Sequence, residues 1–190
     1  MDVLECIRTR RSIGKVKPDA VEREKIEQIL EAGTWAPNHK HTEPWKFFVM
    51  EGEGRRHLGQ ALADIAREEM SEPGTEENQQ ILQKHFEKAY RAPVIIAVAV
   101  TPSDKPDVLR IEEFAAVNAE IQNMLLATHA LGLGGIWRTG KPTYHPRIKQ
   151  TFGLKETDEV LGFLYIGYPD MAEPKAKRVP FAEKTVWLDQ

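Results

Sequence analysis

The run Pro93-Val94-Ile95-Ile96-Ala97-Val98-Ala99-Val100 does more than any other stretch to limit the folds open to this chain. It has the composition of a strand but no alternation of apolar and polar residues, so both of its faces are covered. Thr101-Pro102 stops it. A strand buried on both sides needs a helical layer above and below the sheet, and the rest of the sequence supplies candidates. Helical spacing of apolar residues runs over Asp2 to Ile7, Arg55 to about Met70, Glu77 to Tyr90, Arg110 to Leu131 and Pro146 to Phe152. A further helix is expected to start at Pro18-Asp19, with Asp19 as N-cap and Glu22 three residues on, and to end at Gly33. Strand-like runs at 46–50, 133–137 and 160–166 join 93–101 in a three-layer arrangement of helices, sheet and helices. The helix over 110–131 is apolar around more than one side and so must be covered on more than one side, one of which could be another subunit.

The totals narrow the function classes. With 190 residues, 41% of them hydrophobic, the chain can bury one good core, and a single domain over 1–190 is expected. A net charge of -3 argues against a nucleic-acid footprint. Cys6 has no partner for a disulfide, and no apolar run approaches membrane-spanning length, so a soluble cytoplasmic protein with no membrane role is the expectation.

Chemistry-bearing residues gather in three places. In Gly132-Leu133-Gly134-Gly135-Ile136-Trp137-Arg138-Thr139-Gly140 the glycines let a flat partner approach the backbone, while Trp137, Arg138 and Thr139 offer an aromatic ring, a fixed charge and a hydroxyl. Read as backbone alone, it is a helix stop at Gly132, a strand and a turn. Near the N-terminus, Arg8, Arg10 and Arg11 repel one another beside Ser12; either a phosphate satisfies them or they form a solvated patch at a helix C-terminus. The loop Thr34 to Trp45 is bracketed by prolines and holds Trp35, His39, His41 and Glu43. Nothing elsewhere completes a metal site from His39, His41 and Glu43, so no metal is expected and the loop is read as touching a ligand. Gly52-x-Gly54 lacks the third glycine of a dinucleotide turn and reads as a plain connection. Nothing between residues 55 and 90 looks catalytic.

Arg10-Arg11-Ser12, Trp35-Ala36-Pro37-x-His39, Glu43-Pro44-Trp45, Gly134-Gly135-Ile136-Trp137-Arg138-Thr139-Gly140 and Leu164-Tyr165-Ile166-Gly167-Tyr168-Pro169 occur in the order of the nitroreductase family. Over essentially its whole length the chain resembles the short bacterial NAD(P)H nitroreductases of that family. The resemblance implies an α+β, three-layer α-β-α fold with a mixed, mainly antiparallel sheet, in an intertwined homodimer with FMN at the interface. By the same resemblance Arg10, Arg11 and Ser12 hold the phosphate and ribityl end, Trp137, Arg138 and Thr139 line the flavin, and Trp35 and His39 reach it from the partner subunit. Arg178 looks like a basic residue that many members aim at the phosphate. Ala127, Thr128, His129, Ala130, Leu131 and Gly132 resemble a segment given to NAD(P)H, and the segment from about 170 to 190 would extend onto the partner. In Thr185-Val186-Trp187-Leu188 that tail alternates like an edge strand. One departure stands out: where the family's better-known members carry an acidic residue beside the flavin, this chain has Arg138-Thr139-Gly140.

The activity implied by the resemblance is that of an FMN-dependent NAD(P)H oxidoreductase passing hydride by ping-pong kinetics to nitroaromatic, quinone or similar flat acceptors. The flavin carries the chemistry, and His39 is a candidate proton donor. A flavin-binding protein without turnover, or a flavin enzyme of the same fold with a different reaction, fits the same motifs.

Overall fold

β2, Val94–Val100, is buried at every residue. A computed structural model describes residues 2–188 and arranges around β2 the helices α1 (Val3–Thr9), α2 (Arg23–Thr34), α3 (Arg56–Glu68), α4 (Glu76–Glu87), α5 (Arg110–Ala130) and α6 (Pro146–Thr151). The other strands are β1 (Trp45–Glu51), β3 (Gly134–Arg138) and β4 (Glu159–Gly167). The sheet order is β1-β2-β4-β3, and every neighbouring pair is antiparallel. The expected mixed character comes down to one parallel bridge, Ser12 to Gly135, outside the named strands.

The two faces of β2 carry two cores. Val94, Ile96, Val98 and Val100 pack with Ile26 and Ile29 of α2 and with Val117, Ile121 and Met124 of α5. Ile95, Ala97 and Ala99 pack with Leu58, Leu62 and Ile65 of α3 and Ile148 of α6. Each large aliphatic side chain buried this way contributes roughly 1.5–3 kcal/mol relative to exposure, which is why the unpatterned run could settle nowhere but mid-sheet. Among the described residues no helix is long and apolar enough to cross a membrane.

Two expectations for α2 need correction. Its first residue is Arg23, not Pro18 or Asp19, because the preceding chain is held extended against the end of β4: Val16 bridges Pro169, and Lys17 N donates to Tyr168 O at 2.7 Å. Glu22 occupies the N-cap position without capping, since its carboxylate accepts instead from Tyr168 Oη and pairs with Lys25 Nζ at 3.2 Å. Nor does Gly33 end the helix. It lies within α2, where a Cβ would meet Glu120 Oε1 at 2.5 Å and Met124 Cγ at 2.9 Å. The glycine is there for the close crossing of α2 over α5. In the single chain 185–188 are exposed and follow a short 3-10 turn at Phe181–Lys184, with no described strand of this chain alongside them, while 189–190 lie outside the described residues.

That crossing buries a carboxyl group. Both carboxylate oxygens of Glu120 are buried without a hydrogen-bond partner, and burial pushes its pKa up to about 8. A folded state that prefers the protonated acid is most stable below the ordinary carboxylate range and loses stability as pH rises toward about 8. Urea unfolding between pH 5 and 9 should therefore show stability falling by up to about 4 kcal/mol over that window. Glu120→Gln should flatten the dependence. Gly33→Ala should cost about 1–3 kcal/mol by overpacking the same contact.

Candidate functional site

β3 is the edge strand on which the site is built. Its outer side is met by the chain after α1, where Ile13 N donates to Gly135 O at 3.0 Å and Ser12 bridges Gly135. A Cβ on Gly134 would lie 2.8 Å from Ile13 Cγ2, so only glycine lets this strap lie so close. The Arg10–Ser12 run and the glycine-rich strand, far apart in sequence, are thereby neighbours. Arg138 completes the junction: its Nη2 would sit 3.8 Å from a Cβ on Gly14.

Arg10 ends α1 with non-helical backbone, and its N–H donates to Cys6 O. Burial, then the charges of Arg11 and Arg178, hold its pKa below the ordinary value. The structure thus brings Arg178, from the exposed tail, into the field of Arg10. Arg11 Nη1 donates to the carbonyls of Arg8 and Arg10 at 2.7 and 2.8 Å, leaving the rest of its guanidinium available. None of these three arginines has a carboxylate within ion-pair distance among the described residues.

At the far end of β3 a cavity of about 420 Å³ opens, walled by Ile136, Trp137 and Arg138 of the strand, by Thr139 just beyond it, and by Phe163 and Tyr165 of β4. The Arg138 guanidinium carbon lies 5.2 Å from the centre of the Tyr165 ring, while its Nε is buried without a partner. Burial raises the Tyr165 pKa, and Arg138 and Arg91 oppose that rise. Trp137 is fixed by Nε1 donating to Leu161 O at 3.1 Å. Its ring occupies the space that a side chain at residue 162 would need, since a Cβ on Gly162 would collide with Trp137 Nε1.

The remaining candidates stand apart from this cavity. Trp35 is 79% exposed. His39 is exposed too, its Nε2 3.7 Å from Glu112 Oε2, and Lys40 Nζ lies 3.1 Å from Asp107 Oδ2. The loop that carries them holds left-handed backbone at Lys40, His41 and Glu43 (φ 59°, 51° and 46°). Ala127 to Gly132 form the end of α5 and its stop, packed beside α1. Thr128 is buried with its hydroxyl donating to Met124 O at 2.7 Å, and His129 Nε2 is 2.9 Å from Thr9 Oγ1. From this segment His129 and Gly132 reach a smaller recess, of about 230 Å³, that Arg11 also lines.

Residues 55–90, in which nothing looks catalytic, nonetheless supply part of the cavity wall: Leu62 of α3 and Lys88, just after α4, line it, and so does Arg91. A helical pattern cannot reveal this, because Lys88 and Arg91 look like solvated charges until the sheet is assembled. The Lys-x-x-Arg spacing ahead of the buried strand was the available signal.

The arrangement is an antiparallel α+β domain with a flat-walled, cation-lined cavity at a sheet edge, suited to a planar ring that bears negative charge. The sequence profile of the nitroreductase family matches residues 7–168. The protein named "Putative NAD(P)H nitroreductase YdjA" of Escherichia coli is 35% identical over 95% of this chain and 95% of its own. A nitroreductase-like family protein from Bacillus cereus superposes with a TM-score of 0.84 at 31% identity, covering 100% of this chain and 97% of that one. A "putative nitroreductase in complex with fmn" from Desulfovibrio desulfuricans gives 0.71 at 28% identity, over 98% and 96%. The chain belongs to the nitroreductase family, as its motif order implied.

Gly162→Ala should evict the Trp137 ring and break its bond to Leu161. We expect a loss of roughly 1–3 kcal/mol in urea unfolding. A shift of tryptophan emission to longer wavelength should accompany it, and an unchanged emission maximum would contradict the packing described.

Proposed function

We propose that the protein is an FMN-dependent NAD(P)H oxidoreductase that reduces nitroaromatics, quinones or similar planar acceptors by ping-pong kinetics. The observation that carries this reading is the bridge between Ser12 and Gly135, which sets an arginine cluster with no carboxylate partner beside the open backbone of β3. The residues fit the group. Arg10, Arg11 and Arg178, with the exposed Ser12, suit a phosphate; Arg138, whose Nε has no partner, and the Trp137–Thr139 backbone suit a flat heterocycle. When bound, FMN supplies the two-electron chemistry, accepting hydride from a reduced nicotinamide and yielding it to the acceptor. Arg138 places fixed positive charge at the cavity wall, where it favours negative charge arising on reduction. Thr139 stays exposed at the mouth, and Phe163 keeps the inner wall apolar. From the α5 end, His129 and Gly132 are the residues open to a donor.

The reading extends to a homodimer in which Trp35 and His39 meet the site of the partner subunit, and in which the tail lies on the partner. What supports it is apolar surface with nothing on it: Val3, Leu4 and Ile7 of α1, Trp35, and Phe181, Val186 and Trp187 of the tail are all exposed. A soluble cytoplasmic location belongs to the same reading, as does a proton-donating role for His39, whose side chain is exposed and polar at the loop.

The test is the visible spectrum of the purified protein, then anaerobic addition of NADPH or NADH without acceptor. A yellow protein that bleaches carries the reading, whereas one that neither is yellow nor takes up added FMN sinks it. Arg10→Met should weaken FMN retention about 10- to 100-fold, as expected for losing a charged hydrogen-bond donor to phosphate. Light scattering should give twice the chain mass for the flavin-loaded form.

A further inference from the structure

Part of the cavity's charge is left over once a flavin is provided for. Besides Arg138, already given to the flavin, Lys88 and Arg91 line it, and among the described lining residues there is no Asp or Glu. Among the described residues none of the three comes within ion-pair distance of a carboxylate. Arg138 rests over the Tyr165 ring, but Lys88 and Arg91 have no such cover. Lys88 is held half-buried with its Nζ 3.2 Å from His85 Nδ1, and burial and the charge of Arg91 both lower its pKa. Arg91 and Lys84 are exposed and Lys88 is half-buried, so like charges gather at the rim of the hollow, where they repel one another until an anion arrives.

The positive charge continues outward. Lys88 and Arg91 also border a second, shallower recess on the outer side of α4, with Lys84 and His85; Glu87 is the one carboxylate there. In a chain whose net charge is -3, this track from the α4 surface into the cavity is a local reversal of sign. A flavin phosphate would be met by Arg10, Arg11 and Arg178 beyond the opposite edge of β3, and an oxidised flavin ring is neutral. The track is left for another molecule.

Resting on the oxidoreductase reading, we infer that Lys84, Lys88 and Arg91 form an anion subsite that selects acceptors carrying a carboxylate, sulfonate or similar oxyanion on the ring to be reduced. The shared chemistry is an oxyanion against clustered cations, which the ribose phosphate of an NADPH donor would also offer. The two sources part in separate half-reactions.

The experiment uses the flavin-loaded protein, reduced anaerobically and then mixed with para-nitrobenzoate or with para-nitrobenzamide, its neutral counterpart of nearly the same shape. Reoxidation by the carboxylate should be about tenfold faster at low concentration, and added salt should shrink the difference. Arg91→Gln and Lys84→Gln should each move the ratio toward one, and Lys84→Gln, which lies outside the cavity wall, should leave flavin content and the rate for the neutral amide unchanged. A wild-type ratio at or below one, or a ratio that neither variant alters, overturns the subsite. If the variants instead remove a preference for NADPH over NADH in the reductive step and leave the acceptor ratio alone, the track serves the donor and the inference is wrong. Titrating the unreduced protein with the same two nitro compounds, read by tryptophan quenching, reports binding without turnover. Preferential binding of the carboxylate that Arg91→Gln abolishes upholds the subsite even in a protein that does not bleach, and equal binding of the two rejects it.

Discussion

Covering both faces of β2 is the requirement on which the rest of the architecture depends. With β2 and β4 buried in mid-sheet, helices occupy the whole area above and below, and only the two edges can meet anything else. The β1 edge is paired on one side and runs straight into α3. The β3 edge is different, because it is short, rich in glycine and succeeded at once by a turn at Gly140, whose φ is 121°. A strap from the N-terminus lies along its first half. Only its last residues remain open, and there the protein places an indole, a guanidinium and a hydroxyl.

Charge is distributed with the same economy of position. Two of the buried carboxyl groups, Glu113 and Glu120, lie on α5, and Glu113 Oε2 accepts from Ser103 N at 2.6 Å; the third, Asp158, accepts from Lys155 N just before β4. Among the described residues, clusters of cations with no carboxylate within ion-pair distance flank β3, around Arg10 on one side and Lys88 on the other. Acid that has no counter-ion is tolerable because it can hold its proton; arginine has no such escape, so its charge waits for a ligand or stays wet. In this chain the buried acid Glu120 belongs to the packing of α2 on α5, and the clustered cations border the candidate site.

The strands and the two helical layers were legible because a fully apolar run and long amphipathic periods leave few arrangements. Ordered motifs carried the family. Local signals failed where tertiary contacts outweighed them: Asp19 had the chemistry of a cap, but Tyr168 and the Val16 bridge dictated where α2 begins. Gly33 looked like a helix stop because a sequence cannot distinguish a glycine needed for a turn from one needed for a close crossing. Lys88 and Arg91 escaped notice for a related reason, since converging on one hollow is a property of the assembled sheet. Arg178 was named through resemblance alone, and only the fold brings it within reach of Arg10.

The loop before β1 shows what its unusual backbone achieves. Three residues with side chains sit in the left-handed region, a conformation that costs free energy at each, and the loop is tied to the region around the start of α5 through the pairs from His39 to Glu112 and from Lys40 to Asp107. A segment held in that way has given up its conformational freedom during folding rather than at the moment of contact. A loop tethered at these points has fewer conformations to give up than a free one, so contact with the indole of Trp35 would surrender less entropy on association.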